Sequence, residues 1–206
     1  RIIFSGPQVW TRSIFSVSGV GYDPHSGRID FVGQGGEKSS EENRNLREKL
    51  LRVCKLCNEA KLEKKAHAYQ VLGDPTEGAL LTLAQKKRTQ KPAQKVEKIR
   101  EIFPFDSDRK MMSVWVGKDV LVKGSPDQIL EQCTHWSDGS NTQKLDARRK
   151  KIIKAHYERM AEKAYRVLAF AERELTVREK PKNAEQAEQK LVFLGLVGMI
   201  DPPRED

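Results

Sequence analysis

Long apolar runs are missing from this sequence. The longest, residues 191–200, has ten residues and includes two glycines, whereas a membrane-spanning helix needs roughly 20 apolar residues. This excludes a membrane helix within the sequence and predicts one or two buried strands at residues 191–200. The chain opens without an initiator Met or a signal-peptide pattern and closes on Asp-Pro-Pro-Arg-Glu-Asp; we expect both ends to be cut ends of a larger protein.

Cysteines are few as well, and their number limits the chemistry that they can support. Three cysteines without a secretory signal predict reduced thiols in a reducing compartment. Cys54 and Cys57 form a C-x-x-C pair, and a zinc site would need Cys133 and His135 as a second pair of ligands. Because Cys54 and Cys57 fall inside a helical pattern, we expect them to pack as small apolar side chains instead.

The motifs of common catalytic sites are also missing. The sequence has no G-x-S-x-G, no H-E-x-x-H and no histidines paired at metal-binding spacing. A Gly-Gln-Gly-Gly segment at residues 33–36 lacks the lysine and the hydroxyl of a Walker loop. These absences argue against a free-standing enzyme, and the sequence predicts no catalytic residue.

Positive charge, in contrast, is abundant: the net charge is +9. Such a surface attracts nucleic acid, acidic membrane or a polyanionic ligand. Much of the excess lies in residues 86–98 and 148–154, which can be a loop and a solvated helix face. A basic interaction domain or nucleic-acid-binding domain is the alternative interpretation, although aromatic residues do not interleave with the basic runs as nucleic-acid binding favours.

The pattern of apolar residues predicts an α+β domain. A second helix begins at Asp74, which we expect to be its N-cap, with Pro75 at the first helical position and Glu77 three residues after the cap. Other helices are expected at residues 41–60, 127–133 and 145–165, the last with Ile152, Ile153, Tyr157, Met160 and Ala164 along one face. Strands are expected within residues 1–32 and at 111–116, 120–123, 166–171 and 191–199, with loops at 33–40 and 174–188. Because helices do not alternate regularly with strands, the order favours a twisted, mainly antiparallel sheet flanked by helices.

Two segments carry residues suited to binding a flat ligand. A lysine at the end of a strand, Lys123, can aim its ammonium into a pocket, and Gly124 after it lets a flat ligand approach the backbone. The same residue pattern also occurs in strand-to-helix turns that bind no ligand. Phe105 can stack on a base, although Phe103 and Phe105 can equally be core residues beside an exposed Lys110.

Five segments in one order point to a known family. They are residues 73–80 (Gly-Asp-Pro-Thr-Glu-Gly-Ala-Leu), 104–113 (Pro-Phe-Asp-Ser-Asp-Arg-Lys-Met-Met-Ser), 122–127 (Val-Lys-Gly-Ser-Pro-Asp), 165–169 (Tyr-Arg-Val-Leu-Ala) and 198–204 (Gly-Met-Ile-Asp-Pro-Pro-Arg). The series resembles the nucleotide-binding (N) domain of type II P-type cation-transporting ATPases, and the calcium pumps most closely. It covers the chain from about residue 40 to the end. It implies a nucleotide-binding domain over residues 1–200 and, at 201–206, the start of a hinge back to a phosphorylation domain.

The resemblance implies that five residues surround the adenine base. Glu77, beside Thr76, would accept a hydrogen bond from the adenine amino group, and Phe105 would stack on the ring. Met112 would line an apolar wall, and Leu168 would pack against the purine or the ribose. A flat, weakly polar base suits an aromatic face and aliphatic walls.

Four further residues would complete the site. Lys110 would close the pocket and contact the nucleotide, while Lys123 and Gly124 would form its floor. Arg166 would reach the phosphates, because a triphosphate favours cations at the mouth of its pocket. Ser107 stands where the calcium pumps of muscle carry a phosphate-binding arginine, so fewer phosphate contacts are expected here. Ser125 and Asp127 replace the more usual alanine and glutamate.

The resemblance also implies what the fragment does within a pump. The phosphorylated Asp-Lys-Thr-Gly-Thr motif of the family is absent from the sequence. We therefore expect a domain that binds ATP without hydrolysing it, with Mg²⁺ accompanying the nucleotide on ligands that lie mostly outside the fragment. Its partners would be ATP and the phosphorylation, actuator and membrane domains of a pump. We expect no nucleic-acid partner and a monomeric fragment.

Overall fold

The structure, a computed structural model, describes residues 2–5, 14–19, 21–31, 41–65, 68–86 and 97–200. The helices are α1 (Glu41–Leu56), α2 (Pro75–Gln85), α3 (Pro126–Gln132), α4 (Ala147–Glu162) and α5 (Ala184–Ala187). The strands are β1 (Ile2–Ser5), β2 (Ile14–Val17), β3 (Ile29–Phe31), β4 (Lys61–Lys65), β5 (Ala68–Leu72), β6 (Ile99–Asp106), β7 (Met111–Val116), β8 (Asp119–Gly124), β9 (Cys133–Ser137), β10 (Thr142–Lys144), β11 (Arg166–Glu174) and β12 (Leu191–Met199).

A ten-stranded sheet forms the centre of the molecule. Eight of its strands follow the order β3-β2-β1-β12-β11-β8-β7-β6, and their pairings are antiparallel. β9 pairs in parallel with the first residues of β12 and carries β10 as a further neighbour. The expected α+β fold with a mainly antiparallel sheet is confirmed.

Helices cover both faces of this sheet. α1 and α2 contribute to one buried cluster, and α3 and α4 contribute to the other. Neighbouring residues of β7 face opposite sides of the sheet: Met112 and Val114 belong to the first cluster, and Met111 belongs to the second. The sheet is therefore buried on both sides, and the candidate binding residues lie at one end of the α1–α2 face.

A small hairpin, β4–β5, stands beside the main sheet and packs against α2. Gly78 makes this contact possible, since a Cβ there would lie 2.3 Å from a methyl carbon of Val71. The sequence pattern predicted no strand at this place. It also predicted a helix to residue 60, whereas α1 ends at Leu56.

Several predicted features fall outside the described residues. They include the strand at residues 9–11, the loop at 33–40, most of the basic segment at 86–98, and the hinge at 201–206. Among the helices that the structure does describe, none combines the length and the apolar character required to span a membrane.

Candidate nucleotide-binding site

The first turn of α2 presents Glu77 to the sheet. Asp74 is the N-cap, as predicted, and its Oδ1 accepts a hydrogen bond from the amide of Glu77 at 3.0 Å. Pro75 begins the helix, where its missing N–H costs nothing. The Glu77 side chain does not return to the cap as in a capping box; it extends to the neighbouring chain segments.

The carboxylate of Glu77 is held from two sides. Its Oε2 accepts hydrogen bonds from the backbone amides of Glu59 at 3.0 Å and Ala60 at 3.1 Å. Its Oε1 lies 2.5 Å from the ammonium of Lys123. The side chains of Glu77 and Lys123 are only 15% and 7% exposed, so this ion pair is screened from water and holds the carboxylate in one orientation.

Lys123 reaches Glu77 from the end of β8. In the sheet it lies opposite Met112 of β7 and Phe170 of β11, so these three residues share one face. Met112 is fully buried in the cluster beneath the site. Its predicted contact with a nucleotide stays a prediction, and its observed contacts are with the core.

Gly124 serves the packing of the strands around it. A Cβ at this position would lie 2.5 Å from the carbonyl oxygen of Lys110 and 2.6 Å from the Cβ of Met111. The amide of Ser125 donates to the same Lys110 carbonyl at 2.9 Å. The glycine therefore allows the β6–β7 turn to approach β8, which is a different reason from the approach of a ligand that the sequence suggested.

Phe105 ends β6 with its ring in solvent. Its residue is 61% exposed, whereas Phe103 is 7% exposed and belongs to the core. The register of β6 against β7 shifts between Phe103 and Asp106, and the regular alternation of faces along a strand does not hold across such a bulge. An exposed aromatic ring is the chemistry of the stacking surface that the resemblance implies, and its position beside Glu77 and Lys123 stays a prediction.

The β6–β7 turn is held by Arg109. Its guanidinium donates to the carbonyl of Pro104 at 2.8 Å and to the buried carboxylate of Glu188, which also accepts from Ser113 Oγ at 2.8 Å. Hydrogen bonds from the amides of Arg109 and Asp108 hold the pKa of Asp106 below its ordinary value. The turn that connects Phe105 to Lys110 is thus fixed at both ends, and Lys110 takes a left-handed conformation with φ 52°.

Arg166 and Leu168 approach the site from the start of β11. Arg166 is exposed and donates a hydrogen bond to the hydroxyl of Thr76. Leu168 is half-buried and packs against the cluster under α1 and α2. A cation at the rim and an aliphatic side chain further in are the chemistry that a nucleotide phosphate and sugar require.

Six of the nine predicted residues contact one another in pairs. Glu77 bonds Lys123, Thr76 bonds Arg166, and Gly124 packs on Lys110. Met112 lies opposite Lys123 in the sheet, and Leu168 packs against the buried cluster that contains Met112. Contact of Phe105 with these residues stays a prediction. The sequence reasoning missed the supporting residues Arg109 and Glu188. It also missed Asn58, whose Nδ2 donates to the carbonyl of Glu77 at 2.9 Å. For Asn58 a signal existed, because asparagine is common where a helix ends.

The three cysteines are buried in the core, and Cys57 Sγ donates a hydrogen bond to the carbonyl of Met112 at 3.3 Å. Cys54 and Cys57 are fully buried in the α1–α2 cluster, and Cys133 is buried in the cluster on the other face. Burial raises the pKa of each thiol to about 12. This agrees with their interpretation as small apolar side chains, and the sheet separates Cys133 from the C-x-x-C pair.

A groove of about 340 Å³ runs along the outer side of α1. Lys49, Arg52, Glu97 and Ala84 are among its lining residues. Arg52 pairs there with Glu97 and Asp119, at 2.6 Å and 2.8 Å. The nine candidate residues do not line this groove, so it is separate from the candidate site.

Comparison with known proteins decides the family. The family model described as P-type ATPase, cytoplasmic domain N, matches residues 47–206. The chain belongs to this family. As a P-type ATPase N domain it is 37% identical over 211 residues to the calcium-transporting ATPase of Bacillus subtilis, covering 99% of this chain and 22% of that protein.

Further relatives of the N domain carry similar names. The cation-transporting ATPase pma1 of Synechocystis is 34% identical over 198 residues, with 93% of this chain and 22% of that protein covered. The calcium-transporting ATPase 4, endoplasmic reticulum-type, of Arabidopsis thaliana is 29% identical over 245 residues, with 100% and 22% covered. The chain therefore spans about a fifth of the length of these relatives.

Proposed function

We propose that this N domain binds ATP and positions it for phosphorylation of an aspartate in a separate domain of a membrane pump. The observation that carries the proposal is the Glu77–Lys123 pair, 2.5 Å apart and largely screened from water, and the 61% exposure of Phe105 supports it. The carboxylate offers an acceptor to the adenine amino group, and the ring offers a stacking face.

The charges around this pair suit the rest of the nucleotide. Lys110 and Arg166 are exposed cations on neighbouring elements, the β6–β7 turn and the start of β11. They would meet the phosphates, while Leu168 would meet the purine or ribose and Met112 would support the apolar wall. Mg²⁺ would accompany the phosphates, and Gly124 would keep the turn that carries Lys110 close to β8.

The work of such a domain is positioning rather than chemistry. Binding the adenine while a neighbouring domain supplies the aspartate converts an encounter between two groups into one within a single complex. The fragment would bind ATP without hydrolysing it. Its affinity would be modest, roughly −4 to −6 kcal/mol, or millimolar to high micromolar.

We also propose which ion the parent pump transports and where this domain lies in it. The relatives' names, calcium-transporting ATPase in two of the three organisms above, favour Ca²⁺ as the transported ion. The chain would then be a cytoplasmic domain of an integral membrane protein, with phosphorylation, actuator and membrane domains as partners. ATP-dependent Ca²⁺ uptake by vesicles that contain the full-length protein checks this, and uptake of a different cation alone would contradict it.

Titration of the isolated chain with ATP, ADP and GTP, followed by amide NMR, tests the binding site. We expect shifts at Glu77, Phe105 and Lys123 with ATP and smaller shifts with GTP. The alternative, a nucleic-acid-binding domain, predicts binding to DNA or RNA that weakens steeply with salt. Absence of shifts at millimolar ATP would refute the proposed function.

Replacing the stacking ring gives the sharper test. Phe105→Ala removes the aromatic face, and we expect ATP affinity to fall roughly 5- to 150-fold, since stacking on a base contributes about 1–3 kcal/mol. The residue is 61% exposed, so the free energy of unfolding should change by less than about 0.5 kcal/mol. Isothermal titration calorimetry and urea unfolding measure the two effects.

Ile102→Ala is the matched control for this substitution. Ile102 lies on the same strand, is 40% exposed, and is not among the nine candidate residues. Its removal should leave ATP affinity unchanged. Equal affinity of the Phe105→Ala variant and the unsubstituted chain would remove Phe105 from the site.

A further inference from the structure

The turn after α1 connects the end of that helix to Glu77. Asn58, half-buried at this turn, donates from Nδ2 to the carbonyl of Cys54 at 3.1 Å and to the carbonyl of Glu77 at 2.9 Å. Its Oδ1 accepts from the amide of Ala60 at 2.9 Å. Two carbonyls can only accept and an amide can only donate, so these partners fix the orientation of the Asn58 side chain.

The same turn supplies the amides that hold the Glu77 carboxylate. The amides of Glu59 and Ala60 both donate to Oε2 of Glu77, at 3.0 Å and 3.1 Å. Asn58 therefore acts on Glu77 twice: it binds the backbone of Glu77 directly, and it shapes the turn whose N–H groups bind the carboxylate.

These contacts determine which acceptor site of Glu77 stays open. A carboxylate has about four lone-pair positions, two on each oxygen. The two amides fill those of Oε2, and the ammonium of Lys123, at 2.5 Å, takes one on Oε1. Among the described residues no further hydrogen bond to Oε1 is recorded, so one position on this oxygen is left for a donor from a bound ligand.

We propose that Asn58 is a positioning residue for purine selection: through the turn at Glu59 and Ala60 it holds the open acceptor of Glu77 toward the 6-position of the base. This inference rests on the proposed function. A 6-amino purine presents a donor to that oxygen, whereas a 6-oxo purine presents a second acceptor and is rejected. Without Asn58 the carboxylate loses its fixed direction, and the distinction between the two purine classes weakens.

ATP and ITP form the appropriate pair of probes, because they differ at the 6-position and its neighbouring ring nitrogen and share the sugar and triphosphate. The measured quantity is the ratio Kd(ITP)/Kd(ATP), from calorimetry on the whole chain. We expect Asn58→Ala and Asn58→Asp to lower this ratio roughly tenfold, the scale of one hydrogen bond to a charged group. General damage to the fold lowers the affinity for both nucleotides and leaves the ratio of their Kd values unchanged.

Two comparisons complete the experiment. Asn45→Ala makes the same substitution on the outer side of α1, in the separate groove, and should leave the ratio as it is. In a Glu77→Ala background, where the acceptor is gone, Asn58→Ala should have no further effect on the ratio. Asn58→Asp keeps the size of the side chain, so it carries the test if Asn58→Ala does not fold.

The outcomes separate this inference from the proposed function. An unchanged ratio in folded Asn58→Ala or Asn58→Asp protein, with the unsubstituted chain still preferring ATP, overturns the role of Asn58 and leaves the proposed function standing. An unsubstituted chain that binds neither nucleotide overturns both. A further fall of the ratio when Asn58→Ala is added to Glu77→Ala shows that Asn58 acts by a route other than Glu77, and it also overturns the inference.

Discussion

Glu77 and Lys123 bind each other inside the protein, and at the scale of single residues this makes their charges interdependent. Glu77→Ala would leave the Lys123 ammonium, 7% exposed, without its carboxylate partner. We expect the free energy of unfolding to fall by about 3 kcal/mol, because an unpaired buried charge keeps its desolvation cost. Urea unfolding of the isolated chain measures the loss.

The double variant Glu77→Ala/Lys123→Met is the control for that prediction. Methionine keeps the aliphatic length of the lysine and removes its charge, so at least about 1 kcal/mol of the loss should be recovered. A double variant less stable than Glu77→Ala alone would show that Lys123 stabilises the fold through contacts other than its ion pair.

Some single-residue roles could be predicted from sequence because they depend on neighbours in the chain. The cap formed by Asp74, Pro75 and Glu77 needs only four consecutive residues, and the structure confirms the N-cap and the helix start. The partners of the Glu77 side chain could not be predicted in this way. Lys123 is 46 positions away, and the Glu59 and Ala60 amides become donors only after α1 has ended.

At the scale of elements, α4 ends in a geometry that its sequence does not favour. Ala164 has φ 60°, its amide donates to Ala161, and the amide of Tyr165 donates to Met160, the hydrogen-bond pattern of a Schellman motif. Ala164→Gly relieves the left-handed strain, and we expect a gain of about 0.5–1 kcal/mol in the free energy of unfolding. Thermal and urea unfolding measure it.

The same substitution within the helix should have the opposite sign. Ala155 lies in the interior of α4, where glycine is less favourable than alanine by roughly 1 kcal/mol. Ala155→Gly should therefore destabilise the protein. Loss of stability in both variants would mean that the terminal turn gains more from the alanine methyl group than it loses to strain.

Long apolar elements could be predicted from the sequence, and short or charged ones could not. β7, β8 and β12 carry mainly buried residues, β11 carries mainly buried or half-buried ones, and all four were expected. β4 is Lys-Leu-Glu-Lys-Lys and is almost entirely exposed, so its pairing with β5 gives no apolar alternation to detect. β6 and the β9–β10 pair were missed for a related reason, since exposed residues dominate β6 and β10.

In helix α4 the apolar periodicity predicted only some of the buried residues. Ile153 and Tyr157 are buried as expected, but Ile152 is 37% exposed and Ala164 lies beyond the helix end. Ile152 and Ile153 are adjacent, and adjacent residues are about 100° apart around a helix. One of them therefore faces away from the core, and the pattern did not determine which.

At the scale of the whole molecule, the first strands of the chain complete the sheet beside its last strand. Residues 1–31 supply β1 to β3, together with the buried side chains of Phe15 and Val17. Deleting them would uncover the β1 side of β12 and open the α1–α2 cluster. We expect a loss of roughly 3 kcal/mol or more and self-association through the new edge.

Urea unfolding and light scattering on a size-exclusion column check this prediction. Deleting residues 201–206 is the matched control, because every described strand pair stays intact. A monomeric, equally stable chain without residues 1–31 would show that β1 to β3 are dispensable for the domain.

The pairing of β1 with β12 places Ile2 directly opposite Met199. Paired residues in antiparallel strands have Cα atoms about 5 Å apart, so the path of the chain enters and leaves the domain at one point. A surface turn of an unrelated host protein has ends separated by a similar distance. Residues 2–199 can therefore be grafted into such a turn with short connections, which suits this domain to insertion into a host protein.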